Sequence, residues 1–256
     1  MIQLVYWIWY SIGAVLLLTI GVPDALSFSN GIFLILYALS AVDLIYRNDE
    51  KNQLSDRSVS WWRDSRVWLV ASIIWTGGMS VEWVGVHTGW PFGSYYYSYI
   101  FGPHLFAVPF TLGFAWIAVV GNSALLSGGG AGWKSKLIRA IKTGAWALMM
   151  DLVLDPVAHH REFWSWEAAG GFYGVPWTNF ISWFVMGGLL SLFIPPIPND
   201  PVIQRKAKIL YQLFILLFGL LAVQAGLYGS AIIAGFGILL AEGRHQYVVR
   251  KQISTF

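Results

Sequence analysis

Residues 209–241 read ILYQLFILLFGLLAVQAGLYGSAIIAGFGILLA, an apolar run with no charged residue. One crossing of the hydrocarbon layer takes roughly 20 residues as a helix, so the run is too long for one span. Its only break is Gln224-Ala225-Gly226-Leu227-Tyr228-Gly229, which reads as a tight hairpin between two helices, Ile209–Ala225 and Tyr228–Ala241. Six more apolar segments precede it: Leu4–Val22, Asn30–Tyr46, Val67–His87, His104–Gly121, Leu137–Val157 and Asn179–Ile194. The predicted fold is all-α, a polytopic transmembrane bundle of about eight helices forming a single integral membrane domain over 1–256. Leu4–Val22 lacks a basic leader and a small-residue cleavage site, so it reads as a span and not as a signal peptide.

Composition supports this class. The chain is 57% hydrophobic and 11% charged, against about a half and a quarter in soluble domains. A net charge of +3 would admit a nucleic-acid partner, but the basic residues gather in loops on one side of the predicted bundle. Arg47, Lys51, Arg57, Arg63 and Arg66 lie between helices 2 and 3, and Lys134, Lys136, Arg139 and Lys142 between or beside helices 4 and 5. Arg205, Lys206 and Lys208 precede helix 7, while Arg244, Arg250 and Lys251 follow helix 8; Arg161 alone falls opposite. The positive-inside rule then puts both termini in the cytoplasm. With no cysteine in the chain, disulfides, thiolate metal sites and cysteine nucleophiles are excluded.

Ionisable residues inside a bilayer cost a few kcal/mol each and are functional candidates by default. Asp43 precedes Arg47 by four residues and reads as half of a local ion pair; Glu242, beside Arg244, reads the same way. Glu82, Asp151 and Asp155 differ, since each falls toward the outer end of its helix, away from the basic loops. Asp151 and Asp155 share one helical face. Two like charges so close disfavour double ionisation, which leaves a protonated acid of the kind that general acid catalysis needs. The plain alternative is a hydrogen-bond network that only holds helices together.

The outer loops are rich in aromatics: Trp90 to Tyr99 includes Tyr95, Tyr96 and Tyr97, and later come Trp164, Trp166, Tyr173 and Trp177. An interfacial belt explains aromatics in general. A one-sided excess mixed with Gly and Pro points further, to a lid or pocket whose aromatic faces stabilise a cation by roughly 0.5–2 kcal/mol each. Acids and aromatics on one side suit carbocation chemistry on an apolar substrate. The five histidines do not form the repeated clusters of a membrane di-iron enzyme, so no metal is expected; a carboxylate-rich set of Glu82, Asp151, Asp155 and His159 is the residual possibility.

Three stretches resemble the bacterial and archaeal carotenoid 1,2-hydratases, the CruF-type carotenoid biosynthesis proteins. They are Glu82 with Gly85, Thr88-Gly89 and Pro91-Phe92-Gly93-Ser94-Tyr95-Tyr96-Tyr97; Asp151 with Asp155-Pro156, Trp164 and Trp166; and Tyr173-Gly174-Val175-Pro176 with Asn179-Phe180 and Trp183. The resemblance implies an enzyme of a bacterial or archaeal cytoplasmic membrane that adds water across the terminal C1–C2 double bond of a linear, ψ-end carotenoid. Its partners would be that carotenoid, water and membrane lipids, with no cofactor. On this reading Asp151, Asp155, Glu82 and Asn179 are catalytic, with Asp151 the acid because it lies deeper than Asp155. Phe92, Tyr95, Tyr97, Trp164, Trp166, Tyr173 and Trp183 bind substrate. Gly77, Gly78, Gly187 and Gly188 either leave room for the polyene or let helices pack closely. The rival readings are a membrane carotenoid cyclase, a non-catalytic carotenoid or lipid carrier and, more distantly, a transporter.

Overall fold

The computed structural model describes residues 2–48, 61–167 and 170–254; Lys51 and Arg57 of the second loop lie outside them. Eight α-helices are present among the described residues: α1 (Ile2–Leu18), α2 (Phe28–Asn48), α3 (Ser65–Thr88), α4 (Leu112–Ser127), α5 (Trp133–His160), α6 (Trp177–Ser191), α7 (Pro201–Gln224) and α8 (Tyr228–Ile253). Helices α2, α3 and α7 are long and apolar enough to cross a membrane, and α1 and α4 are shorter apolar helices. The bundle is built around α4, which is buried along nearly its whole length and packs against α2, α3, α5, α6 and α7. A helix apolar all round belongs inside.

Local chemistry sets several helix ends. Asp64 caps α3 by accepting from the Arg66 N–H at 2.9 Å, and Gly89 ends it in the left-handed conformation, φ 72°, which costs glycine no Cβ clash. Asp200 accepts from the Val202 and Ile203 amides at the start of α7, with Pro201 in the first turn, where its missing N–H is harmless. The α7–α8 hairpin turns where the sequence predicts: Gly226 has φ 74° and Leu227 N–H closes on the Ala222 carbonyl at 2.8 Å.

Helices α7 and α8 extend beyond the predicted spans, from Pro201 and to Ile253, so Arg205, Lys206, Lys208, Arg244, Arg250 and Lys251 lie within them, and one segment is not helical at all. The helix predicted from His104 begins only at Leu112. Before it, β2 (His104–Leu105) and β3 (Val108–Pro109) form a hairpin, with Phe106 and Ala107 at positive φ in the turn. Pro109 is the reason, because it has no N–H for a helix and disfavours helical backbone at the residue before it.

Hydrogen bonds sort the helix ends into two sets. At one end Asn48 donates to the Pro198 carbonyl (2.9 Å), Arg139 to those of Pro195 (2.6 Å) and Ile194 (2.7 Å), and Arg244 to Asn199 Oδ1 (3.0 Å). At the other, Arg161 and Gln224 donate to the last carbonyls of α1, those of Leu17 (3.2 Å) and Leu18 (2.9 Å). The first end carries most of the basic residues and the second the aromatic loops. Asp43 pairs with Arg47 at 2.8 Å as expected. Glu242 pairs with Lys208 of α7 at 2.7 Å instead of with Arg244.

The glycines expected either to make room or to bring helices together do the second. A Cβ on Gly77 would meet Leu190 at 2.8 Å, one on Gly187 would meet Ala147 at 2.9 Å, one on Gly188 would meet the Ala140 carbonyl at 3.0 Å, and one on Gly78 would overlap the Trp116 ring.

Candidate active site

Glu82 lies in the penultimate turn of α3 and is 3% exposed. Its Oε2 accepts from the Tyr95 hydroxyl (2.5 Å) and the Tyr97 hydroxyl (2.7 Å), and its Oε1 from the Trp116 indole N–H (3.0 Å). Three donors converging on one carboxyl suit a group that only accepts. Small residues one turn to either side of Glu82 make this possible. A side chain at Gly78 would strike Trp116, and one at Gly85 would meet Tyr95 Oη and Phe92 at 2.7 Å.

The two tyrosines come from β1 (Tyr95–Tyr97), which pairs antiparallel with β4 (Trp164–Trp166) in the register Tyr95–Trp166, Tyr97–Trp164. Alternation along a strand sends every second side chain to one face. Tyr95, Tyr97, Trp164 and Trp166 therefore form one aromatic surface, while Tyr96 on the other face is exposed. The rings pack at centroid distances of 4.7 Å (Tyr95–Trp166), 5.8 Å (Tyr97–Trp164) and 5.4 Å (Tyr95–Tyr97). Burial, reinforced by the Glu82 carboxylate, holds both phenols far above their ordinary pKa, so they remain donors.

Asp151 and Asp155 project from α5 toward α6, both 2% exposed. Asn179, in the first turn of α6, donates through Nδ2 to Asp151 Oδ2 (2.9 Å) and Asp155 Oδ2 (2.5 Å). The two carboxyls thus share one amide donor, while Asp151 Oδ1 is buried without a hydrogen-bond partner, and two buried acids so close disfavour double ionisation. Pro156, next to Asp155, leaves the Leu152 carbonyl without its helical partner. Ser230 Oγ of α8 supplies one at 3.0 Å, so the proline beside the acid is compensated by a neighbouring helix.

Glu82, Asp155, Asn179, Phe92, Tyr95, Tyr97, Trp164, Trp166, Leu112 and Trp183 surround a small cavity of about 20 Å³, room for one water molecule. Ten of the eleven residues expected at the site are thus in one cluster, nine of them on the cavity wall. The tenth, Asp151, lies behind Asp155 and does not line the cavity, so the deeper residue is not the one facing the reaction space. Tyr173 falls outside the cluster. Its hydroxyl accepts from the Gly229 N–H at 2.9 Å, and its role is to tie the α5–α6 loop to the α7–α8 hairpin.

Trp116 was missed by the sequence reading. It stacks on Trp183 at 4.0 Å and 8° between planes, yet in an apolar run nothing separates it from a lipid-facing tryptophan. His159 turns from the carboxylates toward Gly174 and the Trp166 amide. Among the described residues no three His, Cys, Asp or Glu side chains converge as a ligand set.

Over 129 residues the chain is 40% identical to bisanhydrobacterioruberin hydratase of Haloarcula japonica, a match covering 48% of this chain and 42% of that protein. No solved structure matches. The family model described as carotenoid biosynthesis protein matches residues 29–243, a span that runs from the first turn of α2 into α8 and takes in every residue of the cluster, and the chain belongs to that family.

Proposed function

We propose that the chain is a cofactor-independent carotenoid hydratase, adding water across the terminal C1–C2 double bond of an acyclic carotenoid end group. The observation that carries this reading is the water-sized cavity with Asp155, one of two acids bridged by Asn179, on one wall and an aromatic surface on another. The archaeal relative's name, a hydratase of bisanhydrobacterioruberin, supports the same reaction class.

The steps balance without a redox partner. The protonated Asp151–Asp155 pair gives its proton to C2 through Asp155, the member on the cavity wall. The alkene's electron pair forms the new C–H bond, leaving a tertiary cation at C1. Tyr95, Trp164, Trp166 and Trp183 present polarisable faces to it, each contributing roughly 0.5–2 kcal/mol, and the Glu82 carboxylate adds a fixed negative charge nearby. A water attacks C1 and releases a proton to the aspartate pair, which returns to its starting state. Asn179 positions the pair by holding both carboxyls.

The test is product analysis after expression in a bacterium that accumulates acyclic carotenes, supplied in parallel with bisanhydrobacterioruberin. A more polar pigment, heavier by one water and carrying label from isotopic water, is the expected result. An isomer of unchanged mass would replace hydration by cyclisation, and unchanged pigment with every substrate would remove the catalytic reading.

A further inference from the structure

A second, larger cavity adjoins the site. It runs between α1, α2, α4 and α7, walled by Tyr10, Gly13, Phe33, Tyr37, Phe214 and Phe218 among others, and has a volume of about 90 Å³ against about 20 Å³ for the acid-bearing cavity. Leu112, Trp164 and Trp183 line both this space and the acid-bearing cavity. The polar tips of its aromatic walls are engaged elsewhere: Tyr10 donates to the Leu213 carbonyl at 2.7 Å, Tyr37 is hydrogen-bonded to Asn122 at 2.6 Å, and Trp9 donates to the Ser29 carbonyl at 3.3 Å. What faces the lumen is mostly carbon, with Ser29 and Asn30 the polar exceptions.

We propose that this channel holds the polyene segment next to the reacting end group, with Leu112, Trp164 and Trp183 as the gate through which the terminal alkene reaches Asp155. The proposal rests on the hydratase reading for the identity of the occupant and on the shared wall for its position. A flat, stiff, conjugated chain fits a slot lined by aromatic rings, and an apolar occupant suits walls that are mostly carbon. Along α2 the walls extend from Ser29 to Tyr37, which at 1.5 Å per residue is about 12 Å. That is less than half of the roughly 30 Å hydrocarbon thickness. The channel therefore reads the end group and the first part of the polyene, and the rest of the carotenoid stays in lipid. C30 and C40 substrates with the same end group are accepted alike.

Gly13 supplies the probe. A Cβ built there has no atom within 4 Å, so a side chain leaves the backbone at Gly13 without striking a neighbour and starts on the channel wall. The full-length protein is expressed with lycopene, purified in detergent, and its retained pigment measured by absorbance per chain. Gly13→Trp, and Ala115→Phe filling the channel from α4, should each retain at least about ten-fold less than the wild type, as expected when a pre-formed apolar site is filled. Gly235→Leu, on an exposed stretch of α8 with similarly open surroundings, should retain as much as the wild type, and all three should elute as the wild type does. Wild-type retention in both filled variants overturns the channel, as does a wild type that retains no pigment. Hydration measured on the same proteins separates the two readings. Pigment that is retained, lost on filling and never hydrated keeps the channel and removes the hydratase; hydration undiminished in both filled variants does the reverse.

Discussion

At the scale of single residues, the site divides its three carboxyls by their partners. Glu82 meets three donors, whereas Asp151 and Asp155 share a single amide. Proton transfer from a positioned side chain is typically worth 10²–10⁴-fold, and Asp155→Asn removes from the cavity wall the acid proposed to donate the proton. Its hydration rate should fall by about that factor, measured as labelled product per chain, with the protein still folded. Asp151→Asn should fall less, because it disturbs the pair without emptying the wall; an equal or larger loss there would return the donor role to Asp151. Glu82→Gln turns an amide toward three donors, and leaving a buried donor unmet costs about 1–3 kcal/mol. That variant should melt at a lower temperature as well as lose activity, whereas Asp155→Asn should keep its melting temperature. The three acids were legible because charge in an apolar helix is rare. Asn179 was legible only through a motif. Tyr173 was misjudged because loop tryptophans and tyrosines look alike in sequence whether they face a cavity or bridge two loops.

At the scale of elements, the site depends on how close one helix and one strand can come. Gly78 and Gly85 bracket Glu82 and leave the backbone bare where Trp116 and Tyr95 lie on it. Gly85→Val should push β1 off α3, break the Tyr95–Glu82 bond and abolish hydration. Overpacking of this kind costs typically 1–3 kcal/mol, so the helical signal in circular dichroism should persist; wild-type activity in that variant would show that the tyrosine contact is dispensable. Gly85 stood within the recognised motif, but its contact with Tyr95 is tertiary and could not be read from spacing. The β2–β3 hairpin was misread for a simpler reason. Its residues are as apolar as the helix that follows, and hydropathy alone outweighed Pro109, the one local sign that a helix could not start at His104. The α7–α8 turn shows the opposite case, where Gly226 marked the break correctly because local backbone conformation decided it.

Across the whole molecule, the two ends of the bundle are chemically unlike: one is basic, and the other holds the aromatic strands over the acids. We propose that the basic end faces the cytoplasm, since Lys and Arg near span ends set orientation, and that both termini lie there with it. The reaction would then sit in the outer half of the bilayer, with the β1–β4 surface between Asp155 and the outer water. The absence of cysteine makes this directly measurable, because any introduced thiol is the only one present. Tyr96 points away from the site and is 57% exposed, and Lys136 is exposed at the other end. In intact cells a membrane-impermeant maleimide should label Tyr96→Cys, and it should label Lys136→Cys only after the membrane is opened. The reverse pattern would invert the topology and place the site toward the cytoplasm, leaving its internal geometry untouched. Orientation also bears on the water supply. Small water molecules reach either face, but a long apolar substrate travels in lipid, so an aromatic cover over the acids at one end is no bar to a substrate that arrives from the side of the bundle.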